Sequence, residues 1–150
     1  MKRAEFTAYS HIEIEMQFAT SCTLRQMRSV GKRVLVCEDN HTIAMGWAMM
    51  LSTAGYEVIG PVHDAEKALE EAYKQMPDLA LIDIALNGII DGISVAAELA
   101  PLGVPVIFVT ADYQRATSEG REFASDILIK PIRQSTLLTT VATVLDQKRK

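Results

Sequence analysis

An excess of basic residues is what this 150-residue chain most plainly lacks: 15 Lys and Arg stand against 19 Asp and Glu, a formal net charge of -4. Neutralising nucleic-acid phosphates needs clustered cations, so no nucleic-acid partner is expected. The one basic cluster, Lys148-Arg149-Lys150, ends a predicted helix, where cations suit the negative end of the macrodipole. Cysteine is scarce as well. Cys22 and Cys37 stand far apart, form no close metal-binding pair, and Cys37 lies inside an apolar strand, so both read as reduced thiols. Long apolar runs are missing too: Lys2-Arg3 opens the chain, but Glu5, His11, Glu13 and Glu15 interrupt any apolar stretch after it. Neither a signal peptide nor a membrane span is expected, and the location implied is cytoplasmic. With 49% hydrophobic and 23% charged residues, the composition is that of an ordinary globular protein. The length suits one domain with one core, leaving no room for a second catalytic or DNA-binding domain.

From Arg33 onward, short β-branched runs alternate with helical patterns, the habit of a parallel sheet wrapped by helices. Fully buried strands are expected at Val34–Cys37, at Glu57–Gly60 with Pro61 as the stop, at Leu79–Asp83, at Val106–Thr110 and at Asp126–Lys130. Ile43, Trp47, Met50, Leu51 and Ala54 recur at helical spacing, and Gly55 supplies a left-handed stop. Asp64 caps a second helix that turns Ala65, Leu69, Ala72 and Tyr73 inward until Pro77 forbids continuation. A short third helix covers Ser94–Leu99 and a more polar fourth Tyr113–Phe123. The fifth, Ile132–Gln147, carries Leu137, Leu138, Val141, Val144 and Leu145 on one stripe. Five strand-helix units joined by right-handed crossovers give an α/β fold, a flavodoxin-like doubly wound five-stranded parallel sheet, over residues 31–150. Residues 1–30 show no clean period. They read as an N-terminal extension, either disordered or upstream of a true start at Met27.

In such a sheet ligands bind beyond the carboxyl ends of the strands, at the switch point in strand order. The polar tips Glu38 and Asp39, Asp83, Thr110 and Lys130 should therefore converge. Crowded carboxylates resist ionising unless a cation offsets them, and magnesium, which prefers oxygen ligands, suits the set. Phosphoryl transfer needs mainly positioning and charge stabilisation, which the metal, the Lys130 ammonium and the Thr110 hydroxyl supply together. Asp83, ending the central strand, is then the nucleophile, with Glu38 and Asp39 as metal holders to one side.

Together Glu38-Asp39, Asp83, Thr110 and Lys130-Pro131 resemble the receiver domains of bacterial two-component response regulators, from about Arg33 to the C-terminus. The resemblance implies that Asp83 accepts the phosphoryl group and that Asp39 ligates magnesium directly, Glu38 through water, and Ala85 through its backbone carbonyl. It makes Thr110 the switch hydroxyl and Lys130 the ion-pair partner of the phosphoryl group, and it implies a cis bond between Lys130 and Pro131. The donor implied is a sensor histidine kinase or a histidine phosphotransfer protein. With no output domain expected, the signal leaves by contact with a downstream protein or by onward phosphotransfer; a homodimer is left open.

The sequence also departs from the family pattern. Ile127 stands where receivers usually carry a switch aromatic, Asn87-Gly88 replaces the usual Pro-containing turn, and Asp91-Gly92 arrives one residue late. Phe108-Val109-Thr110-Ala111-Asp112-Tyr113 looks like a subgroup of single-domain receivers with Phe-Ala-Thr-Gly and a nearby Tyr. Tyr113 then either supplies the aromatic that Ile127 lacks or simply covers the sheet edge. Ala85 and Asp112 stand where the family tunes the lifetime of the phosphoryl group.

On the first helix, Met45, Ala48 and Met49 are assigned to the side opposite the core stripe, an apolar surface suited to docking the donor. His41 reads as a loop histidine facing water, and His11 and His63 have no evident partner. Two rivals compete with the phosphoacceptor reading. One is a degenerate receiver that serves only as a binding module. The other is an aspartate-nucleophile phosphatase of the haloacid dehalogenase type, which needs a second Asp where this chain has Ala85. Flavin binding is excluded because Glu38-Asp39 would repel the phosphate.

Overall fold

Three strands, β1 (Arg33–Cys37), β3 (Leu79–Ile82) and β4 (Val106–Thr110), are apolar almost throughout, and the sheet order β2-β1-β3-β4-β5 explains why. Each has a parallel neighbour on both sides and helices on both faces. The two edge strands, β2 (Glu57–Val62) and β5 (Asp126–Ile129), are only partly buried. The sequence expectation of five fully buried strands therefore holds for the interior of the sheet alone. The computed structural model describes residues 30–149; the remainder of the expected extension, with His11, Cys22 and Met27, lies outside the described residues, as does Lys150.

Two helices, α1 (His41–Thr53) and α5 (Gln134–Gln147), cover one face, where Trp47, Leu51, Leu137, Val141 and Val144 pack on Val34, Val36, Leu81 and Val109. The opposite face is covered by α2 (Ala65–Gln75), α3 (Gly92–Leu99) and α4 (Tyr113–Ser118), whose Ala68, Ala72, Val95, Leu99 and Ala116 meet Leu35, Ile82 and Phe108. Among the described residues no helix is long and apolar enough to cross a membrane.

Four helices start at an Asx cap. The side chains of Asn40, Asp64, Asp91 and Asp112 accept from the backbone N–H three residues on, at 3.1, 2.7, 2.9 and 3.0 Å. Because each cap follows a strand directly or by a short loop, helix N-termini gather on the side of the sheet where the strands end.

Four details differ from the sequence expectation. Pro61 does not stop β2 but lies within it, which an edge strand tolerates because its outward N–H has no ladder partner to lose. Tyr73 is exposed, since Ala65, Ala68 and Ala72 already form the inward stripe, and its hydroxyl donates to Glu98 at 3.0 Å. The fourth helix ends at Ser118 and resumes as a 3-10 turn at Arg121–Phe123, because Gly120 lets the chain press against the Phe108 ring. Ala48 belongs to the core, not to the outward face of α1: it lies one turn after Ala44 on the buried stripe of Ala44, Trp47, Ala48 and Leu51. Met45 and Met49 do face outward, at 52% and 65% exposure.

Candidate functional site

The parallel ladder brings the strand tips together. The Glu38 N–H donates to the Val62 carbonyl, the Asp83 N–H to the Cys37 carbonyl and the Lys130 N–H to the Thr110 carbonyl, each at 3.0 Å. These bonds put the first residue after one strand beside the end of the next. Side-chain oxygens of Glu38, Asp39 and Asp83 all lie within 4.8 Å of one another, which among the described residues is the one cluster able to hold a metal ion.

Lys130 reaches into this cluster from the end of β5. Its ammonium donates to Asp83 Oδ2 at 2.6 Å and also pairs with Glu38 Oε2. The other oxygens are held from the backbone: Asp83 Oδ1 accepts from the Ala85 N–H at 3.1 Å, and Glu38 Oε1 from the Asn40 N–H at 2.9 Å. Glu38 is 1% exposed and Asp83 4%. Burial pushes the Glu38 carboxyl up to about 7, against the Lys130 and Asn40 hydrogen bonds that pull it down. Burial alone would lower Lys130, but the hydrogen bonds and charges of Asp83 and Glu38 outweigh it and hold the ammonium above the usual lysine value.

Of the sequence-predicted residues, Glu38, Asp39, Asp83 and Lys130 therefore share one pocket. Thr110 is buried at the end of β4, and its hydroxyl accepts from the Asp112 N–H at 3.1 Å rather than bonding to Asp83. Ala85 and Asp112 are exposed in the two loops that follow β3 and β4. The Lys130-Pro131 peptide bond is cis, as is Gly60-Pro61. Tyr113 and Ile127 face one surface groove of about 290 Å³, with Arg121, Ser125 and Asp126. Cys37 is a free thiol buried in the sheet; burial and the surrounding carboxylates push it up to about 12, so it is inert near neutral pH.

Three features escaped the sequence. His63 is not without a partner: its Nδ1 lies 2.9 Å from the Glu38 carbonyl oxygen, and its ring stacks on His41 with centroids 3.6 Å apart. A signal was present, since His63 follows β2 as Glu38 follows β1. Trp47, read only as core, lies under the Lys130 ammonium, 5.4 Å from ring centroid to nitrogen. Arg115 on α4 forms an ion pair with Asp91, the cap of α3, and so ties together the two helices that follow the Asp83 and Thr110 loops.

Three carboxylates against one ammonium form an oxygen-rich pocket with an excess of negative charge, which fits a hard divalent cation such as magnesium. Fold and pocket together define a doubly wound α/β domain with an acidic centre at the carboxyl end of its middle strand. The family model for the response regulator receiver domain matches residues 34–142, and the chain belongs to that family, a family of signalling domains.

The transcriptional regulatory protein PdtaR of Mycobacterium tuberculosis is 34% identical over 124 residues, covering 81% of this chain and 60% of that protein. The chain thus spans about three fifths of the length of that relative. The chemotaxis protein CheY of Thermotoga maritima is 29% identical over 110 residues, covering 71% of this chain and 91% of CheY. Among solved structures, the signal receiver domain of a modulated diguanylate cyclase from Desulfovibrio desulfuricans superimposes with a TM-score of 0.73 at 32% identity, covering 79% of this chain and 97% of that one.

Proposed function

We propose that this domain accepts a phosphoryl group on Asp83 from a phosphohistidine of a sensor histidine kinase or a histidine phosphotransfer protein, in a magnesium-dependent reaction. The observation that carries the reading is the placement of Asp83: a buried carboxylate at the tip of the middle strand, 2.6 Å from an ammonium and within 4.8 Å of two further carboxylates. Asp39, Glu38, Asp83 and the backbone carbonyl of Ala85 would hold the metal, which supplies charge neutralisation for the phosphoryl oxygens. An Asp83 carboxylate oxygen forms the new P–O bond as the P–N bond of the donor breaks, and the imidazole leaves with the electron pair and takes up a proton. The Lys130 ammonium then pairs with a phosphoryl oxygen in place of Asp83 Oδ2. The Thr110 hydroxyl gives up the Asp112 amide and turns toward the phosphoryl group, which pulls on the loop leading into α4. The exposed side chains of Ala85 and Asp112 flank the access of water and set the lifetime of the acyl phosphate.

The change leaves the domain through protein contacts or onward transfer, inside the cytoplasm. Met45 and Met49 form an exposed apolar strip on α1, the helix that follows Glu38-Asp39, and supply the docking surface for the donor. Tyr113 supplies the moving aromatic that Ile127 does not, since both face the same groove and Tyr113 is 54% exposed at rest. NMR on phosphorylated Tyr113→Ala should show the amide shifts of α4 reduced by more than half relative to wild type; undiminished shifts would remove Tyr113 from the switch.

The reading itself is tested by mass spectrometry after incubation with a small-molecule phosphodonor and magnesium. Wild type should gain one phosphoryl group, whereas Asp83→Asn, or wild type with a chelator, should gain none. Label on Asp83→Asn equal to that on wild type would refute the assignment of the acceptor, and no label on wild type would favour the binding-module alternative.

A further inference from the structure

Lys130 has the longest reach to make of any group in the pocket. Its strand, β5, stands at the sheet edge with β4 and β3 between it and β1, a separation of about 14 Å at ~4.8 Å per neighbour. Yet its ammonium pairs with Glu38 at the end of β1 as well as with Asp83 at the end of β3. A lysine side chain has much rotamer freedom to lose in such a stretch, and charge attracts it without fixing its path.

Trp47 provides the missing restraint. It rises from α1, is 4% exposed and packs in the core with Val34, Val36, Leu79 and Leu81, so its ring is fixed by neighbours unrelated to the pocket. The ammonium lies over that fixed ring at 5.4 Å, inside the range in which the negative face of an aromatic attracts a cation. The Lys130 side chain is 18% exposed, so little water competes for the contact. An aliphatic residue could occupy part of that core volume but would offer the ammonium no aromatic face.

Resting on the phosphoacceptor reading above, we propose that Trp47 is a positioning residue for phosphoryl transfer, its indole face holding the Lys130 ammonium between Glu38 and Asp83, ready for the incoming phosphoryl oxygen. Trp47 touches neither the donor nor the phosphoryl group; it acts through Lys130. Because the chain has a single tryptophan, its fluorescence reports on this contact and on no other indole.

The test compares wild type, Trp47→Phe, Trp47→Leu and Lys130→Met as full chains. With a small-molecule phosphodonor and magnesium, Trp47→Leu should be labelled about tenfold more slowly, and Trp47→Phe, which keeps an aromatic face, within about threefold of wild type. Labelling of Trp47→Leu at the wild-type rate, or equal slowing of both variants, would reduce Trp47 to a core residue. Should Trp47→Leu fail to fold, the indole emission decides: without any phosphodonor, Lys130→Met should change the intensity or wavelength of wild-type emission. Unchanged emission overturns the proposal. The emission comparison needs no phosphate, so a failure of the phosphoacceptor reading shows as missing label on wild type and is distinguishable from a failure of the ammonium–indole contact.

Discussion

Lys130→Met should lower the stability of the metal-free protein by about 3 kcal/mol in urea denaturation, and magnesium should restore most of it. The substitution leaves the Glu38 and Asp83 side chains, 1% and 6% exposed, without the ammonium they share. Removing one partner of a buried pair costs more than the pair itself contributes, because the survivor stays out of water with its charge uncompensated. A divalent ion bound by the same oxygens would supply the missing positive charge, which is why its addition should rescue the variant more than wild type. The loss should also depend on pH with a definite sign. The Glu38 carboxyl is raised from 4.5 to about 7, so its contribution is fully present below 4.5 and is lost as pH rises through about 7. Metal-free protein should therefore weaken across that window, and the variant more steeply. A variant equal in stability to wild type, with or without magnesium, would mean that the pocket is wetter and less charged than the structure shows.

Gly92→Ala should destabilise the domain by about 3 kcal/mol and slow phosphorylation by more than tenfold. Gly92 opens α3, and its N–H donates to the Ile84 carbonyl at 3.0 Å. A Cβ there would overlap the Asp83 carbonyl oxygen and lie 2.8 Å from Ile84 Cα, and both obstacles are backbone. Helix and acceptor strand cannot both stay in place, so Asp83 must shift relative to Lys130 and Asp39. Gly46→Ala is the control. Gly46 lies within α1 with open space around its Cα, so the added methyl should stabilise by about 1 kcal/mol. Thermal denaturation of the two variants should thus move in opposite directions. A Gly92→Ala protein as stable and as readily phosphorylated as wild type would refute the close approach.

The fold was legible wherever burial is uniform. Val34–Cys37, Leu79–Ile82 and Val106–Thr110 are apolar because they are covered on both faces, and a run of that kind needs no knowledge of its neighbours to be recognised. The acidic pocket was legible for a related reason: parallel strands of similar length end together, so Glu38, Asp39, Asp83 and Lys130 had to meet.

What was missed depends on angle or on distant partners. Ala48 and Met49 differ by a single helical step, yet one is buried and the other exposed, and spacing among small and flexible apolar residues does not fix the stripe that closely. Pro61 sits inside a strand only because β2 is an edge, which strand order decides and local sequence does not. Asp91 was read as part of an altered loop, with the third helix starting at Ser94, whereas it caps α3, which starts at Gly92. The contacts of Trp47 with Lys130 and of His63 with Glu38 join residues 83 and 25 positions apart; only the place of His63 directly after β2 hints at the second, and no local pattern reveals the first.

Magnesium titration by calorimetry, on wild type and on Asp39→Asn, tests the acidic pocket most directly. Wild type should take up one ion per chain, with NMR amide shifts concentrated at Glu38, Asp39, Asp83 and Ala85, and Asp39→Asn should bind at least tenfold more weakly. No uptake by wild type, or equal affinity in the two proteins, would contradict the assignment of these carboxylates to a shared cation site.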